Sequence, residues 1–536
     1  MKTNRAYARA YVTPKAEKAC RAGHPWVYDA EIERIVAPGE RDDELRLRPR
    51  EPFAGIEERG VANGSLIDVL TRKGGYLGTG ILSLNSKIRI RLVSTNANDA
   101  FDAAFWERKV RWAWEHRKTV MGSDASCCRL LFSEADGFCG LVVDRFEDVL
   151  VTQTLAFGME RLKPVVFPAL VKVLAEDGVR IRGIYERNDV GARELEGLPQ
   201  TCGWYPLATT HDGPIETPTE KGCATSGPRT DVSRETLGQR SCSGTELRTD
   251  VSRETFLEGA TDAGAGAGGT SMGTTDAGAA RGAGGTGRSL MPSLDEVPAP
   301  IAADAPEAAA FGPATVLITE NGVRYLVDFE HGQKTGFFLD QKYNRRAVGA
   351  LAGGRHVLDC FTHTGSFALN AALGGAAHVH AVDVSDVAID AARTNARLNG
   401  PDAEARLSFE VANVFDVLPQ IEAAHGRDGQ GGRYDFIVLD PPAFTKSRRT
   451  VEAASRGYHE INQRAMKILP RGGYLATCSC SHFMDAGRFR GMLASAAQGA
   501  GVQLRQIEER QQAPDHPIVW GVPETDYLKF FLFQVV

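Results

Sequence analysis

The last third of the chain, residues 331–536, repeats a pattern that few folds can satisfy: short apolar runs alternate with helix-like segments. Runs of this length, bounded by turn residues, are typical of buried strands. Strands that alternate with helices predict a parallel sheet covered on both faces, which is a doubly wound α/β fold. The predicted strands span residues 355–359, 379–383, 409–413, 434–440 and 472–482.

The first of these strands ends at Asp359, and a single glycine, Gly365, precedes the helix that follows. A strand, a tight turn and a helix form the unit with which doubly wound sheets bind nucleotides. The spacing differs from the dinucleotide motif, and no phosphate-binding lysine follows. An acid before one close-packed glycine suits a ligand with an amino-acid head group and no pyrophosphate.

The next two strand ends supply polar groups suited to a nucleoside. Asp383 can accept hydrogen bonds from both ribose hydroxyls, and Asn413 can meet an adenine amine. Together with Asp359, they predict a pocket for S-adenosylmethionine. The alternative is a Rossmann-type structural domain, because an aspartate at a strand end is commonly a turn residue or a helix cap.

The fourth strand stops at Asp440-Pro441-Pro442, and Phe444 follows closely. Proline removes a backbone donor and fixes φ, so the chain must leave the sheet with Asp440 displayed at its carboxyl edge. An acid, two prolines and an aromatic ring suit the grip of a planar base. We therefore expect the methyl acceptor here; the alternative is that the prolines only terminate the strand.

The fifth strand carries two cysteines, Cys478 and Cys480. Carbon 5 of cytosine becomes nucleophilic enough to accept a methyl group once a thiolate adds at carbon 6, and a cysteine at this edge supplies that thiolate. Asp440 would stabilise the adduct at the ring N3. Residues two apart on a strand share a face, so alternation does not choose between the cysteines, and either could be a buried structural thiol. The base that removes the carbon-5 proton is not identifiable from these patterns.

Residues 1–95 predict a small β-rich domain. Its clearest strand, residues 87–93, alternates Lys87, Arg89 and Arg91 with aliphatic residues, so one face is buried and the other is cationic. The cationic face is either a solvated surface or a contact for RNA phosphates.

A central α+β domain is predicted over residues 100–200 and 313–330. It begins with an amphipathic basic helix from about Phe101 and continues through strands at residues 140–145, 149–154 and 181–185, with a helix at 165–174. It resumes with a hairpin around Asn321-Gly322 that we expect to complete the domain.

Residues 202–312, rich in glycine, alanine, threonine and serine, interrupt this domain and predict a disordered, low-complexity insertion. The octapeptide at residues 229–236 recurs at residues 248–255. It is either a peptide-binding motif or the trace of a DNA element, because Val-Ser-Arg-Glu-Thr can be back-translated as a palindrome that resembles the bacterial chromosome-partitioning site.

The net charge, the apolar pattern and the cysteine spacing of the chain exclude several classes of protein. The net charge of −6 argues against a surface that binds nucleic acid everywhere, so RNA binding must be regional. With no apolar run of eighteen residues and no signal-peptide core, we expect a cytoplasmic protein without membrane contact. The ten cysteines lack paired zinc spacing, so we expect reduced thiols and no metal. The oligomeric state is open, a homodimer included.

At these residues the chain resembles the bacterial large-subunit (23S) ribosomal RNA cytosine-5 methyltransferases of the RlmI type, over nearly its whole length outside the insertion. The upstream motifs that carry the resemblance are Gly23-His-Pro-Trp26, Asn85-Ser-Lys-Ile-Arg89, Glu134-Ala-Asp-Gly137 and Tyr185-Glu-Arg-Asn-Asp189. The more specific ones are Gly332-Gln-Lys-Thr-Gly-Phe-Phe-Leu-Asp340-Gln341, Asp440-Pro-Pro442, Arg456-Gly-Tyr-His-Glu-Ile-Asn462, Ser479-Cys-Ser481 and Asp515-His-Pro517.

The resemblance implies a Rossmann-like class I methyltransferase domain at residues 331–536, preceded by an RNA-binding PUA-like domain and the small α+β domain. It implies that Cys480 is the nucleophile and that Asp440 shares the catalytic site. The implied cofactor residues are Thr335, Gly336, Phe337, Phe338, Asp359, Phe361, Thr364, Gly365, Asp383, Val384, Asn413, Val414 and Asp440. The implied substrate residues are Pro441, Pro442, Phe444 and Lys446. Relatives more often have aspartate at position 413, and the insertion has no counterpart in the family.

Two other functions compete with this interpretation. A guanine methyltransferase of the same fold would also use Asp-Pro-Pro, but it would lack the Ser-Cys-Ser strand end. A non-catalytic RNA-binding assembly factor would have lost Asp359, Asp440 or Cys480, and all three are present. The expected partner is RNA, 23S ribosomal RNA or a large-subunit precursor, and the expected role is ribosomal RNA processing.

Overall fold

The computed structural model of the chain describes residues 7–40, 53, 55–207, 291–428, 434–445 and 447–536. These residues form sheets of six, five, two and seven strands. The first three precede the methyltransferase-like domain that the sequence predicts, and the last belongs to it. Of the described helices, none has the length and apolar character needed to cross a membrane.

The six-stranded sheet forms the N-terminal domain, and its order is β2-β6-β5-β4-β1-β3. Aliphatic side chains from both ends of the domain meet in one core. The elements are β1 (Ala8–Val12), α1 (Pro14–Arg21), β2 (Trp26–Tyr28), β3 (Ile32–Val36), β4 (Leu66–Leu70), β5 (Tyr76–Leu82) and β6 (Ile88–Ser94).

Strand β6 is present as predicted, and of the three cations of its predicted cationic face Lys87 is exposed, whereas Arg89 and Arg91 form ion pairs. Arg91 is 4% exposed and pairs with Glu196 of the central domain at 2.7 Å. Arg89 pairs with Asp29 at 3.0 Å. Both interpretations of this face are therefore wrong for Arg91, because its charge is used inside the protein to join two domains.

The five-stranded sheet forms the central α+β domain in the order β11-β10-β9-β8-β7. Helices α2 and α4 pack on it through a large aromatic and aliphatic core. The elements are α2 (Ala103–Met121), β7 (Cys127–Phe132), α3 (Ser133–Asp136), β8 (Leu141–Phe146), β9 (Val149–Thr154), α4 (Phe157–Glu176), β10 (Gly183–Arg187) and β11 (Cys202–Trp204). The predicted strands and the basic helix are confirmed, and α4 begins one turn or more before the predicted residue 165.

Both ends of the predicted insertion belong to the folded domain. Strand β11 pairs with β10, and the buried Trp204 bridges to Ile301 and stacks on Phe311 at 5.1 Å. The prediction of disorder is therefore wrong for residues 202–207 and 291–312, because Trp204 supplies an aromatic core that the composition of the segment conceals. The rest of the insertion, with both octapeptide copies, lies outside the described residues.

The predicted hairpin is confirmed as β12 (Thr315–Glu320) and β13 (Val323–Asp328). Asn321 and Gly322 have φ of 54° and 80°, as a two-residue turn with positive φ at both positions requires. The hairpin remains a separate two-stranded sheet and does not join the central one. It packs between the central domain and the C-terminal domain, so it serves both.

The seven-stranded sheet confirms the doubly wound α/β prediction. Its order is β16-β15-β14-β17-β18-β20-β19, and all neighbouring pairs up to β18 are parallel, whereas β20 is antiparallel to both of its neighbours. The helices are α5 (Lys342–Leu351), α6 (Ser366–Leu373), α7 (Asp386–Leu398), α8 (Pro401–Ala405), α9 (Val414–Asp428), α10 (Val451–Ile468) and α11 (Ala486–Ala500). The strands are β14 (His356–Cys360), β15 (His378–Asp383), β16 (Leu407–Val411), β17 (Phe436–Leu439), β18 (Tyr474–Ser479), β19 (Leu504–Arg510) and β20 (Lys529–Val535).

A buried ion pair joins the hairpin to this domain. Arg345 of α5 donates two hydrogen bonds to Glu320 of β12, at 2.7 and 2.9 Å, and both side chains are at most 1% exposed. A buried carboxylate that loses its cation keeps the full cost of desolvation. The hairpin is therefore tied electrostatically to the helix that begins next to the site described below.

Replacing Arg345 with methionine removes the cation and leaves Glu320 buried. We expect the free energy of unfolding to fall by about 3–5 kcal/mol, as measured by urea denaturation. Arg346→Met is the matched control, because Arg346 lies on the same helix with an exposed side chain and should change stability by about 0.5 kcal/mol or less. Equal destabilisation by the two variants would contradict the role of the ion pair.

Candidate active site

The predicted site residues converge on the carboxyl edge of the seven-stranded sheet. Strand β14 is the point at which the strand order reverses, since β15 and β16 lie on one side of it and β17 and β18 on the other. Ligands of open α/β sheets bind in the crevice at such a point. The loops after β14, β15, β17 and β18 therefore define the candidate site.

The loop after β14 has a strained backbone. Phe361 and His363 have φ of 64° and 51°, which is rare for residues with side chains, and Gly365 has φ of 81°. A Cβ on Gly365 would lie 3.0 Å from the Cβ of Ala392 in α7. The glycine is thus required for both conformation and close packing, and strain of this kind concentrates where a ligand is clamped.

Asp359 lies at the base of this loop and is fully buried. Its Oδ2 accepts hydrogen bonds from Thr362 Oγ1 at 2.5 Å and from the Ala368 backbone N–H at 2.9 Å, whereas its buried Oδ1 has no partner. Burial raises the pKa of Asp359 to about 7, and the Asp440 and Asp383 carboxylates also raise it. An unsatisfied buried acceptor of this kind fits the ammonium group of an amino-acid ligand.

Asp383 and Val384 lie beside this loop, at the end of β15. The Asp383 carboxylate accepts N–H donors from His363 at 2.8 Å and from Ser385 at 3.0 Å. Each oxygen can accept a further bond, so contact with ribose stays a prediction. Val384 is 73% exposed, and an exposed aliphatic side chain next to an acid suits a nucleoside. With the open Asp359 oxygen, these residues fit S-adenosylmethionine.

Asn413 and Val414, which follow β16, fit the predicted role in cofactor binding less well than Asp359 and Asp383. The Asn413 side-chain oxygen accepts the Phe415 N–H at 3.0 Å, so it caps the first turn of α9. Val414 is 2% exposed, and its side chain packs in the core. Adenine binding by Asn413 stays a prediction, and Thr364 is a further polar group here because its buried Oγ1 has no partner.

The segment Thr335–Phe338 divides between two roles. Thr335 donates a hydrogen bond to Asp144 of the central domain at 2.6 Å, and Phe337 packs in the core under Arg345. Gly336 has φ of 104°, and a Cβ there would lie 2.7 Å from the Asp328 carbonyl oxygen. These three residues hold a domain junction. Phe338 is the residue of this segment whose side chain lies beside the loop after β14: it is half-buried, and its ring is 5.1 Å from that of His363.

Asp440 is held at the end of β17 by a chain of amides. Gln341 Nε2 donates to Asp440 Oδ1 at 3.0 Å, and Asn344 Nδ2 donates to Gln341 Oε1 at 2.6 Å. Asp440 itself is 4% exposed. This chain orients the carboxyl group, and neither amide was identified as a site residue from the sequence, although Gln341 closes one of the quoted motifs.

The substrate residues surround Asp440. Phe444 packs 4.6 Å from Tyr458 of α10 and 6.4 Å from Phe361, and its ring is half-buried. Pro441 is buried and Pro442 half-buried. Lys446 lies outside the described residues. The aromatic group formed by Phe444 and Tyr458 suits the binding of a flat base, and Tyr458 was missed because its register on α10 is a tertiary property.

The structure separates the two cysteines. Cys478 lies within β18, pairs in register with Phe530 and packs in the core of the sheet. Cys480 lies one residue beyond the end of the strand, and its Sγ is 3.9 Å from the Pro441 carbonyl oxygen. The expectation that both share a strand face is wrong because the strand ends at Ser479, and the Cys480 thiol contacts the Asp-Pro-Pro turn. No disulfide joins any of the described cysteines.

Ser481 and Tyr458 position the segment around Cys480. The Tyr458 hydroxyl and Ser481 Oγ are 3.0 Å apart and both are buried. Within the described part of the chain, no group of three or more histidine, cysteine, aspartate or glutamate side chains could hold a metal ion. The site therefore combines a carboxyl pocket for a nucleoside, an oriented acid, an aromatic wall and a thiol.

Comparison with known proteins agrees with this geometry. The S-adenosylmethionine-dependent methyltransferase family model matches residues 304–533, and a PUA-like domain model matches residues 10–95. The chain is 31% identical to the ribosomal RNA large subunit methyltransferase I of Aliivibrio fischeri strain ES114 over 527 residues, which cover 98% of this chain and 99% of that protein. It is 28% identical to the protein of the same name from Klebsiella pneumoniae strain 342, with complete coverage of both.

Two solved structures share the fold. A structure described as that of a SAM-dependent methyltransferase from Streptococcus mutans has a TM-score of 0.62 and 17% identity, and covers 98% of this chain and 99% of that one. A structure described as that of the methyltransferase SMU.776 complexed with SAH has a TM-score of 0.61 and 18% identity, with the same coverage. The likeness extends over the whole arrangement of domains.

The pKa of Asp359 predicts how cofactor binding depends on pH. Above pH 7 the carboxylate is ionised and attracts the ammonium of S-adenosylmethionine, whereas below pH 7 it carries a proton and the attraction is lost. We expect Asp359→Asn to weaken binding at pH 8 by about tenfold or more, the effect of one charge-assisted hydrogen bond. Calorimetric titration at pH 6 and pH 8 measures this effect.

The same titrations identify the cause. The wild type should bind more tightly at pH 8 than at pH 6, and Asp359→Asn should show little of this dependence. Asp390→Asn is the control, because it removes an exposed carboxylate from α7 in the same domain. If Asp359→Asn and the wild type have the same affinity at pH 8, Asp359 does not bind the cofactor.

Proposed function

The chain belongs to the ribosomal RNA large subunit methyltransferase I family, and on this basis we propose that it methylates carbon 5 of a cytosine in large-subunit ribosomal RNA through the Cys480 thiolate. It is an S-adenosylmethionine-dependent RNA methyltransferase with an N-terminal PUA-like domain. The choice of base, the nucleophile and the substrate-binding residues are the proposal. Such a substrate implies action in the cytoplasm.

The observation that carries the proposal is the contact between Cys480 and the Asp-Pro-Pro turn. The thiol lies 3.9 Å from the Pro441 carbonyl oxygen, immediately beside Asp440. A base whose ring reaches Asp440 would therefore also lie near the thiol. A thiol at this place has no use in methylation of a guanine amino group, where the acceptor nitrogen is itself nucleophilic, but it is required for carbon 5 of cytosine.

The reaction assigns a separate role to each side chain. Bound S-adenosylmethionine supplies an electrophilic methyl group. The Cys480 thiolate adds to carbon 6 of the ring, which forms a sulfur–carbon bond and makes carbon 5 electron-rich. Asp440, held by Gln341, would donate a hydrogen bond from its protonated carboxyl group to N3 and so stabilise the charge that develops on the ring. After carbon 5 has accepted the methyl group, a base removes the carbon-5 proton, and the electron pair of that C–H bond restores the C5–C6 double bond and expels the Cys480 thiolate.

The aromatic wall holds the base for this reaction. Phe444 contacts the rings of Tyr458 and Phe361, so its ring is oriented before the substrate arrives. A base taken out of its stack regains stacking energy on such a surface. Pro441 and Pro442 fix the turn that carries Asp440, because proline restricts the backbone on either side.

The two upstream domains are proposed to present the RNA. The PUA-like domain meets the catalytic domain directly: a Cβ on Gly521 would lie 2.3 Å from the Ala22 carbonyl oxygen, and His24 pairs with Glu524 at 3.4 Å. The two domains thus have a fixed relation at this contact. RNA held on the first domain would therefore meet the catalytic edge in one orientation.

The test compares wild type, Cys480→Ala and Cys478→Ala on ribosomal RNA that lacks the modification, with labelled S-adenosylmethionine. We expect Cys480→Ala to lose methyl transfer by on the order of a thousandfold or more, the scale seen when a covalent nucleophile is removed. Cys478→Ala is the matched control and should retain transfer if it folds. Nucleoside mass spectrometry should identify the product as 5-methylcytidine.

Other outcomes have defined meanings. Equal transfer by Cys480→Ala and wild type would refute the thiolate mechanism, and a methylguanosine product would favour the guanine alternative. A covalent complex with RNA that contains 5-fluorocytosine, lost in Cys478→Ala and kept in Cys480→Ala, would reassign the nucleophile. Wild-type protein that binds the RNA and transfers no label would support an assembly factor.

A further inference from the structure

A buried lysine lies beside Cys480 without a carboxylate partner. Lys529, the first residue of β20, is 6% exposed. Its Nζ donates to the carbonyl oxygens of Ser481 and Tyr527, both at 2.7 Å. No carboxylate of the described residues lies within ion-pair distance of it. Two carbonyl dipoles hold the lysine head group in place, but they would not neutralise its charge when it is protonated.

Lys529 contacts the residues that precede and follow Cys480 in the chain. In the register of the sheet, Lys529 is paired with Ser479, the residue before Cys480. Its Nζ bonds to the carbonyl of Ser481, the residue after it. The Cys480 side chain packs in a small cluster with Tyr527 and Leu528, the two residues before Lys529. These contacts anchor the Lys529 head group to the residues that flank Cys480.

A comparison with Lys342, another buried lysine, shows what is unusual about the environment of Lys529. Lys342 also donates to two carbonyl oxygens, those of Asp124 and Cys127. The pKa of Lys342 nevertheless rises, since Cys127 and several carboxylates, Glu320 first among them, outweigh its burial. For Lys529, burial outweighs its neighbours and lowers its pKa to about 8. The Lys529 ammonium is the one of the two that lacks compensating charge.

The ionisable group that acts most strongly on Lys529 is Cys480 itself, followed by Asp526 and Asp485. His482 also interacts electrostatically with Lys529, and Tyr458 of α10 interacts with Cys480. A negative charge on the Cys480 sulfur would supply the compensation that the two aspartates do not provide. The thiol and the lysine are thus complementary in charge once a proton moves between them.

We propose that Lys529 is a positioning residue that holds Cys480 as a thiolate, ready to attack the pyrimidine ring. The inference rests on Cys480 being the nucleophile of the proposed function. The proton transfer is balanced: the S–H bond of Cys480 breaks, an N–H bond forms on the neutral Lys529 amine, and the product is a thiolate–ammonium pair. The sulfur keeps the electron pair that later forms the bond to carbon 6, and Lys529 remains anchored to its two carbonyls.

The test is the pH titration of the Cys480 thiolate, read as the difference in absorbance near 240 nm between each protein and the same protein with Cys480→Ser. In the wild type we expect a midpoint below about 8.5, the ordinary value for a cysteine. Lys529→Met keeps a side chain of similar length without the charge and should raise the midpoint by about one pH unit or more. Lys529→Arg restores the charge and should return the midpoint toward that of wild type.

Lys342→Met is the matched control, because it removes a buried lysine bound to two carbonyls elsewhere and should leave the Cys480 midpoint unchanged. The pH profile of kcat should follow the titration, with Lys529→Met recovering activity as pH rises. A merely structural lysine would lower kcat at every pH. A Lys529→Met midpoint equal to that of wild type would overturn the inference.

Two further results keep the inference separable from folding and from the proposed function. If Lys529→Met does not bind S-adenosylmethionine, and so is not folded, the wild-type midpoint decides alone: a value at or above about 8.5 overturns the inference. If Cys480→Ala transfers methyl groups normally, the proposed nucleophile fails, and a lowered wild-type midpoint that depends on Lys529 would still establish the ion pair.

Discussion

The site depends on one geometric constraint, which is that parallel strands deliver their carboxyl ends to the same edge of a sheet. In the order β15-β14-β17-β18, this constraint aligns the ends that carry Asp383, Asp359, Asp440 and Cys480. The residues are up to about 120 positions apart in the chain, yet neighbouring strands are only about 4.8 Å apart. No local interaction could assemble them, and the hydrogen bonds of the sheet do so without using any of their side chains.

Bringing these groups to one edge has an electrostatic consequence. Asp359 is buried where Asp440 and Asp383 are close, and both desolvation and like charge oppose its ionisation. On the other side of β17, Lys529 is buried where a positive charge is poorly compensated. The carboxyl side of the crevice is suited to a cationic amino-acid head group and the thiol side to an anion. The cofactor and the nucleophile of the proposed reaction therefore lie in environments that favour opposite charges.

The remainder of the molecule holds this edge in a fixed relation to the upstream domains by means of buried polar contacts. Arg91 and Glu196 join the first two domains, and Thr335 bonds to Asp144, which is itself paired with the buried Arg129. Such contacts are costly to break because each leaves an unpaired polar group inside. Arg91, one of the cations that seemed suited to RNA from the sequence of β6, belongs to this internal network. The surface that receives RNA is consequently not readable from the position of basic residues along a strand.

Local patterns were sufficient for everything that depends on periodicity or on backbone chemistry. They predicted the doubly wound sheet, the Asn321-Gly322 hairpin, the turn at Gly365 and the sharp exit at Asp440, since apolar alternation, positive φ and proline act within a few residues. They could not choose between Cys478 and Cys480, because that choice rests on where β18 ends against β20. They also could not identify Gln341, Tyr458 or Lys529, or show that Trp204 orders the ends of the insertion. Each of these residues acts on a partner distant in the chain, so its role exists only once tertiary packing has brought the two together.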